Sequence, residues 1–334
     1  MRRYLVTGGL GFLGAALTRA LVAAGHRVRV LDDGSRGSLA RLGEARPDVE
    51  VVSADIRDPA AVERALAGID GVWHLAFVNG TRHFYERPAY VLEVGVKGIL
   101  NVLDGCRRAG VAELFVASSS EVYQSPPSVP TDEHVPLTVP DPHNARYSYA
   151  GGKIISELLA LHGGREQFER VVIFRPHNIF GPDMGWEHVV PQLTTRLVRL
   201  RATSGPGPVP LPIRGTGSQS RAFIYVEDCV AGLLLLLARG EHLGIYNVGT
   251  MEELTIAEVA RRIGRCLDLE VRLVPGPERP GGAGRRCPDT AKLAALGFRP
   301  RFTFDDGLRP TVAWYATHPA PASAVEAALV EGRP

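Results

Sequence analysis

Tyr149 and Lys153 stand four residues apart in the run Tyr-Ala-Gly-Gly-Lys. On a helix that spacing puts a phenol and an ammonium on one face. A neighbouring cation favours phenolate, so the pair can furnish a general base near neutral pH from a group that otherwise titrates near ~10. The chain has nine tyrosines and three lysines, Lys97, Lys153 and Lys292, and no other pair has this spacing. The plain alternative is an exposed helix pair with no role. Ahead of it, Ser118-Ser119-Ser120-Glu121 comes straight off the apolar stretch 115–117. A serine hydroxyl there can hydrogen-bond an alkoxide or carbonyl oxygen during hydride transfer. Loop capping is the commoner use of such residues.

Something must hold a hydride acceptor beside that phenol, and the N-terminus supplies a candidate. A short apolar strand, Tyr4-Leu5-Val6, runs into Thr7-Gly8-Gly9-Leu10-Gly11-Phe12-Leu13-Gly14, where an apolar helix begins. Glycines permit positive φ and close backbone approach, and a helix N-terminus presents free N–H groups to a pyrophosphate. After the next strand pattern comes Asp32, about where an acid that binds a ribose 2′-OH is expected. Together these residues predict dinucleotide binding.

Strand patterns at 3–7, 27–32, 49–53, 71–76, 113–118 and 170–174 alternate with helical ones near 12–24, 59–67, 89–109 and 148–162. That order implies an α/β, Rossmann-type doubly wound parallel sheet with right-handed crossovers. The character changes after Arg175-Pro176. Residues 203–220 are rich in Gly and Pro and read as an extended loop, 221–226 as a strand, 227–239 and 255–268 as helices, and 275–288 as a loop. The expected division is a dinucleotide-binding domain over 1–175, with 221–239 returning to it. A smaller C-terminal substrate-binding lobe takes 176–220 and 240–316, and a tail takes 317–334.

At 334 residues and 45% hydrophobic, the chain can bury a large core. A net charge of +2 argues for neither a nucleic-acid nor a membrane partner. The four cysteines, at 106, 229, 266 and 287, are scattered without metal-ligand spacing, so no metal is expected and the thiols read as reduced. The start at Met1-Arg2-Arg3 shows no signal-peptide pattern, and no apolar run is long enough to span a bilayer. A cytoplasmic location is the resulting expectation.

Over roughly 1–315 the chain resembles the extended short-chain dehydrogenase/reductases of the nucleotide-sugar epimerase/dehydratase family. Gly8, Gly11 and Gly14 fit that family's Gly-x-x-Gly-x-x-Gly turn, which would place Phe12 and Leu13 at the cofactor phosphates. The resemblance implies NAD as cofactor, with Asp32 on the adenosine ribose, Asp55-Ile56 at the adenine, and Leu75 and Ala76 beside the phosphates and ribose. It makes Tyr149 the base, Lys153 its ribose-binding partner, and Ser119 the catalytic hydroxyl. Asn178, Arg221 and Arg279 resemble contacts to a nucleotide-diphosphate sugar, with Ser120 beside them. Four positions depart from the pattern: Gly95 stands where an Asn is usual, Ile99 for Thr, Gln124 for Gly and Gly282 for Asp.

The shared first step is oxidation of a sugar hydroxyl, usually at C4, and the fate of the 4-keto sugar defines the enzyme. Glu121 leaves that choice open, because Ser-Ser-Glu-Val-Tyr resembles UDP-glucuronate decarboxylases and GDP-mannose 4,6-dehydratases as well as some epimerase-like sequences. A 4-epimerase is the first expectation, with a decarboxylase or dehydratase next and a non-catalytic NAD-sensing protein last. The helices near 89–109 and 148–162 correspond to a dimer interface in the family, so a homodimer is expected, with Val94, Leu100 and Leu103 as candidate contacts.

Overall fold

The computed structural model describes residues 1–277 and 284–318. Six of the seven strands of the central sheet arrive in the first 176 residues: β1 (Arg3–Thr7), β2 (Arg27–Asp32), β3 (Val49–Ser53), β4 (Gly71–His74), β5 (Glu113–Ala117) and β6 (Arg170–Pro176). Between them run α1 (Phe12–Ala23), α2 (Pro59–Leu66), α3 (Thr81–Glu86), α4 (Pro88–Ala109) and α5 (Ser148–Gly164). Next come β7 (Ile179–Phe180), α6 (Val189–Thr203), β8 (Val209–Arg214), β9 (Ser220–Ala222), β10 (Ile224–Tyr225) and α7 (Val226–Arg239). The remainder is β11 (Gly244–Val248), β12 (Glu253–Thr255), α8 (Ile256–Cys266), β13 (Val271–Gly276), β14 (Arg285–Arg286), α9 (Ala291–Ala295) and α10 (Phe304–Thr317).

The sheet order is β11-β6-β5-β4-β1-β2-β3, and every pairing in it is parallel. Its strands read as near-continuous apolar runs because both faces are covered. One face packs Leu5, Val72, Leu114 and Ile173 against α2, α4 and α5. The other packs Val6, Trp73, Phe115 and Phe174 against α1 and α7, with the Trp73 and Phe115 rings stacked 4.1 Å apart. A third core, around Phe180, Leu197, Leu211, Ile263 and Leu308, belongs to the C-terminal segments.

Three sequence readings need correction. Residues 244–248, expected in the substrate lobe, form the seventh sheet strand and pair with β6 from Val172 to Pro176. The stretch 203–220 is not all loop: β8 runs through it and pairs with β13, 271–276. Pro210 and Pro212 obscure β8 in the sequence, yet Val209, Leu211 and Ile213 alternate inward to the third core. The expected strand 221–226 is broken at Phe223, with α7 starting at Val226. Arg41 on the first lobe grips Asp183 after β7 through two bonds of 2.8 and 3.0 Å, fixing the second lobe beside the carboxyl end of β2.

Candidate active site

The carboxyl ends of β1, β2 and β4 form a cradle. The chain leaves β1 through Gly8 at φ 70°, and a Cβ there would lie 2.9 Å from the Ala76 backbone. A Cβ on Gly14 would overlap the Gly8 carbonyl, so turn and helix can close up only with glycine at both places. Gly11 is the N-cap of α1 and no side chain caps it. The first-turn N–H groups of Phe12 and Leu13 have no intrahelical acceptor, which leaves a positive helix end facing the turn. At the end of β2, the buried Asp32 carboxylate accepts the Leu10 and Gly34 N–H groups, each at 2.9 Å. Leu75 and Ala76 both donate to the Thr7 hydroxyl at 3.2 Å. Unpaired helix-start N–H groups and a fixed carboxylate at the next strand end fit the pyrophosphate and ribose of a dinucleotide. Beyond β3, Ile56 is buried under α4, and Asn101 Nδ2 holds its carbonyl at 3.0 Å. Asp55 is engaged by Arg57 (2.6 Å), whose hydrogen bond holds its carboxyl below the usual carboxylate range.

Tyr149 is buried at the start of α5, stacked on Phe84 at 4.8 Å and edge-on to Phe77 at 5.2 Å. The Ser119 hydroxyl, off the end of β5, accepts the Glu121 N–H at 3.1 Å and lies near enough to the phenol to favour its ionised form. Lys153 is also buried, and its ammonium donates to the Ala117 carbonyl at 2.6 Å. Thus β5 and α5 bring Ser119, Tyr149 and Lys153 into one group. Its electrostatics differ from the sequence expectation that Lys153 lowers the phenol pKa. Burial pushes the phenol up to about 12, outweighing the opposing influence of Ser119. Burial likewise takes Lys153 down to about 7, with Glu157 opposing. The physical reason is direction: the ammonium lies 5.8 Å from the Tyr149 ring centroid and faces Ala117 and the Phe77 ring instead.

Glu121 connects this group to a cluster that the sequence did not reveal. Its carboxylate meets Arg286 at 2.6 Å and Arg146 at 3.5 Å. Burial works against its charge, but Arg286, Arg146 and the nearby Arg221 together hold its carboxyl below the usual range. Arg221 itself is brought down to about 10 by burial and then by Arg286. Three guanidiniums around one carboxylate leave a positive surplus, and Arg286, 4% exposed, keeps Nε and Nη2 without partners among the described residues. Ser120, next to Glu121 in the chain, is buried. Asn178 lies apart from the cluster in its bonding: at φ 38°, it spends its amide on the Ala222 carbonyl at 2.7 Å and so ties β7 to β9. Arg279 lies outside the described residues. Arg146 and Arg286 carried no usable signal, because all but three of the 38 basic residues are arginines.

Behind the site runs a second buried array. Glu157, one helical turn past Lys153, takes Arg175 in a bidentate pair of 2.9 and 2.6 Å and also accepts the Ser118 hydroxyl. Arg175 donates to the Tyr123 hydroxyl at 2.8 Å, which donates to Asn247 Oδ1 at 2.9 Å. Asn247 Oδ1 also meets His177 Nε2 at 3.1 Å. The array therefore joins α5, β6, the turn after β5 and β11, fixing the strand ends that carry the site.

Residues 4–249 match the NAD dependent epimerase/dehydratase family, and the chain belongs to that family. It is 33% identical over 332 residues to a dTDP-4-dehydro-6-deoxy-D-allose reductase of Streptomyces bikiniensis, covering 95% of this chain and 97% of the relative. It is 30% identical over 312 residues to UDP-glucuronic acid decarboxylase 1 of Arabidopsis thaliana, covering 92% and 68%. The UDP-glucose 4-epimerase of Thermus thermophilus, solved with NAD, superposes with a TM-score of 0.81 at 30% identity, covering 94% of this chain and 99% of that one. The protein is accordingly an NAD-dependent enzyme of this family with a Rossmann-type parallel sheet.

Proposed function

We propose that the protein oxidises C4 of a nucleotide-linked sugar acid and releases the C6 carboxylate as carbon dioxide. The observation carrying this reading is the surplus of arginine around Glu121, one hydrogen bond from Ser119. The helix-start N–H groups of Phe12 and Leu13 would hold the pyrophosphate of NAD, and Asp32 the adenosine ribose; Asp55, Ile56, Leu75 and Ala76 line the same side. When bound, NAD supplies the acceptor for the C4 hydride and later returns it. Tyr149 takes the proton of the C4 hydroxyl, Ser119 steadies the oxygen, and Lys153 completes the group.

The arginines receive the sugar carboxylate, for which the planar guanidinium is well suited. Once C4 is a ketone, the C5–C6 bond breaks and its electron pair moves onto the C4 oxygen, where the Tyr149 and Ser119 hydroxyls hold it. A proton then returns to C5. A 4,6-dehydratase would need a base at C5 and a separate acid for the leaving hydroxyl, whereas Glu121, locked among arginines, is held ionised. Simple 4-epimerisation is the second reading, favoured by the likeness to the Thermus epimerase over 94% of the chain. It leaves the arginine surplus to the substrate diphosphate.

The test is incubation with UDP-glucuronate and UDP-glucose in parallel, following products by mass and NMR. Release of a UDP-pentose from the acid is expected, together with a loss of about 10²-fold or more in Arg286→Leu. A 4-epimer from either substrate, with no loss of carbon dioxide, would overturn decarboxylation in favour of the second reading. No net NADH should accumulate in either case.

Two copies of the chain are proposed to pair through α4 and α5. Val94 and Leu103 are buried within the chain, but Leu100, Ile155 and Leu158 on these two helices are 40, 38 and 51% exposed. Sedimentation should give a dimer that Leu158→Asp converts to monomer; a monomeric parent protein would end this proposal.

A further inference from the structure

We propose that Phe77 is a positioning residue, its ring seated in a slot opened by Gly95 and Gly152 so that it holds the Lys153 ammonium against the Ala117 carbonyl beside Tyr149. Phe77 follows β4, while Gly95 lies on α4 and Gly152 on α5. A Cβ on Gly95 would overlap the tip of the Phe77 ring, and one on Gly152 would come within 3.0 Å of the same Cζ atom. Glycine weakens a helix interior, so two of them facing one ring indicate that the ring, rather than the helices, sets those positions. The slot leads the ring to the catalytic pair: its face is 4.1 Å from Lys153 Nζ, and it stands edge-on to the Tyr149 ring at an interplanar angle of 82°.

Among the described residues, Lys153 makes one hydrogen bond, to Ala117. Two of its three N–H directions therefore rely on the π face and on whatever occupies the cradle. An aromatic face attracts a desolvated cation and keeps water from it. Without the ring, only the Ala117 carbonyl holds the ammonium, and the four-carbon stem of Lys153 is freer to swing. The pairing also explains the departure at position 95, where any larger side chain would displace Phe77.

This inference rests on Tyr149 and Lys153 being the base and its partner, and the experiment separates the two ideas. Trace acetylation with mass-spectrometric readout reports each amine separately, and the chain has only three lysines. On the purified protein with saturating NAD, the pH midpoint of Lys153 labelling should move up from about 7 toward the ordinary lysine value of ~10 in Phe77→Ala, and less far in Phe77→Leu. Lys97 and Lys292 should be unchanged. Gly95→Ala should lower the melting temperature of the parent protein but not of Phe77→Ala. Turnover should fall with little change in KM.

If labelling and melting behave so while turnover is unaffected, the positioning of Lys153 stands and its catalytic role fails. Unchanged Lys153 labelling in a folded Phe77→Leu protein would overturn the inference. So would an equal effect of Gly95→Ala in both backgrounds.

Discussion

Tyr149→Phe is expected to lower turnover by about 10²–10⁴-fold, the usual contribution of a positioned general base. The fold should survive, since phenylalanine keeps the stack on Phe84 and the edge contact with Phe77, losing only the hydroxyl that lies near Ser119. NAD affinity, followed by fluorescence or calorimetry, should change little. The pH dependence carries the signature. With the phenol pushed up to about 12, the deprotonated fraction grows tenfold for each pH unit below that value. Turnover limited by this group should therefore rise with pH through the neutral range, and the rise should vanish in Tyr149→Phe. A variant with full activity and the same profile would remove Tyr149 as the base.

Glu157→Gln is expected to destabilise the protein by about 3–5 kcal/mol, because it leaves the Arg175 charge buried and uncompensated. Both side chains of this pair are only 2% exposed, so water cannot take over the role of the missing carboxylate. The replacement also weakens the acceptor for Ser118 and disturbs the Tyr123–Asn247 link to β11. Urea denaturation at pH 7 would measure it as a lower midpoint. The double replacement Glu157→Leu with Arg175→Met should recover most of the loss, since an apolar pair of similar volume avoids the desolvation penalty. A single-variant cost below about 1 kcal/mol would mean that Arg175 finds another partner.

The glycine turn after β1 and the acid at the end of β2 were largely legible because their requirements are local. A tight turn into a helix demands glycine within a few residues, and the acid follows at the end of the next strand, so one short segment carries the whole pattern. A serine hydroxyl coming off the end of β5 was also readable, while the choice of Ser119 rested on the family resemblance. Direction was not. The helical spacing put Lys153 on the face of Tyr149, but only the fold reveals the Ala117 carbonyl and Phe77 ring that receive the ammonium. Arg286 was hidden because it comes from a distant segment, and both it and Arg146 come from a composition in which arginine is commonplace. The pairing of β8 with β13 was hidden for a related reason: 56 residues separate the end of one strand from the start of the next, counting from 214 to 271, and prolines interrupt the apolar rhythm of the first.

The late arrival of β11 has a consequence for anyone wishing to dissect the molecule. Cutting the chain after residue 176 would look like a clean excision of the cofactor-binding half. It would instead strip the outer neighbour from Val172, Ile173 and Phe174, three fully buried residues of β6, and expose a hydrophobic rim with unsatisfied backbone groups. Such a fragment should associate with itself or precipitate. The two lobes are thus mutually dependent in synthesis as well as in chemistry: the first cannot finish until the ribosome has passed residue 248.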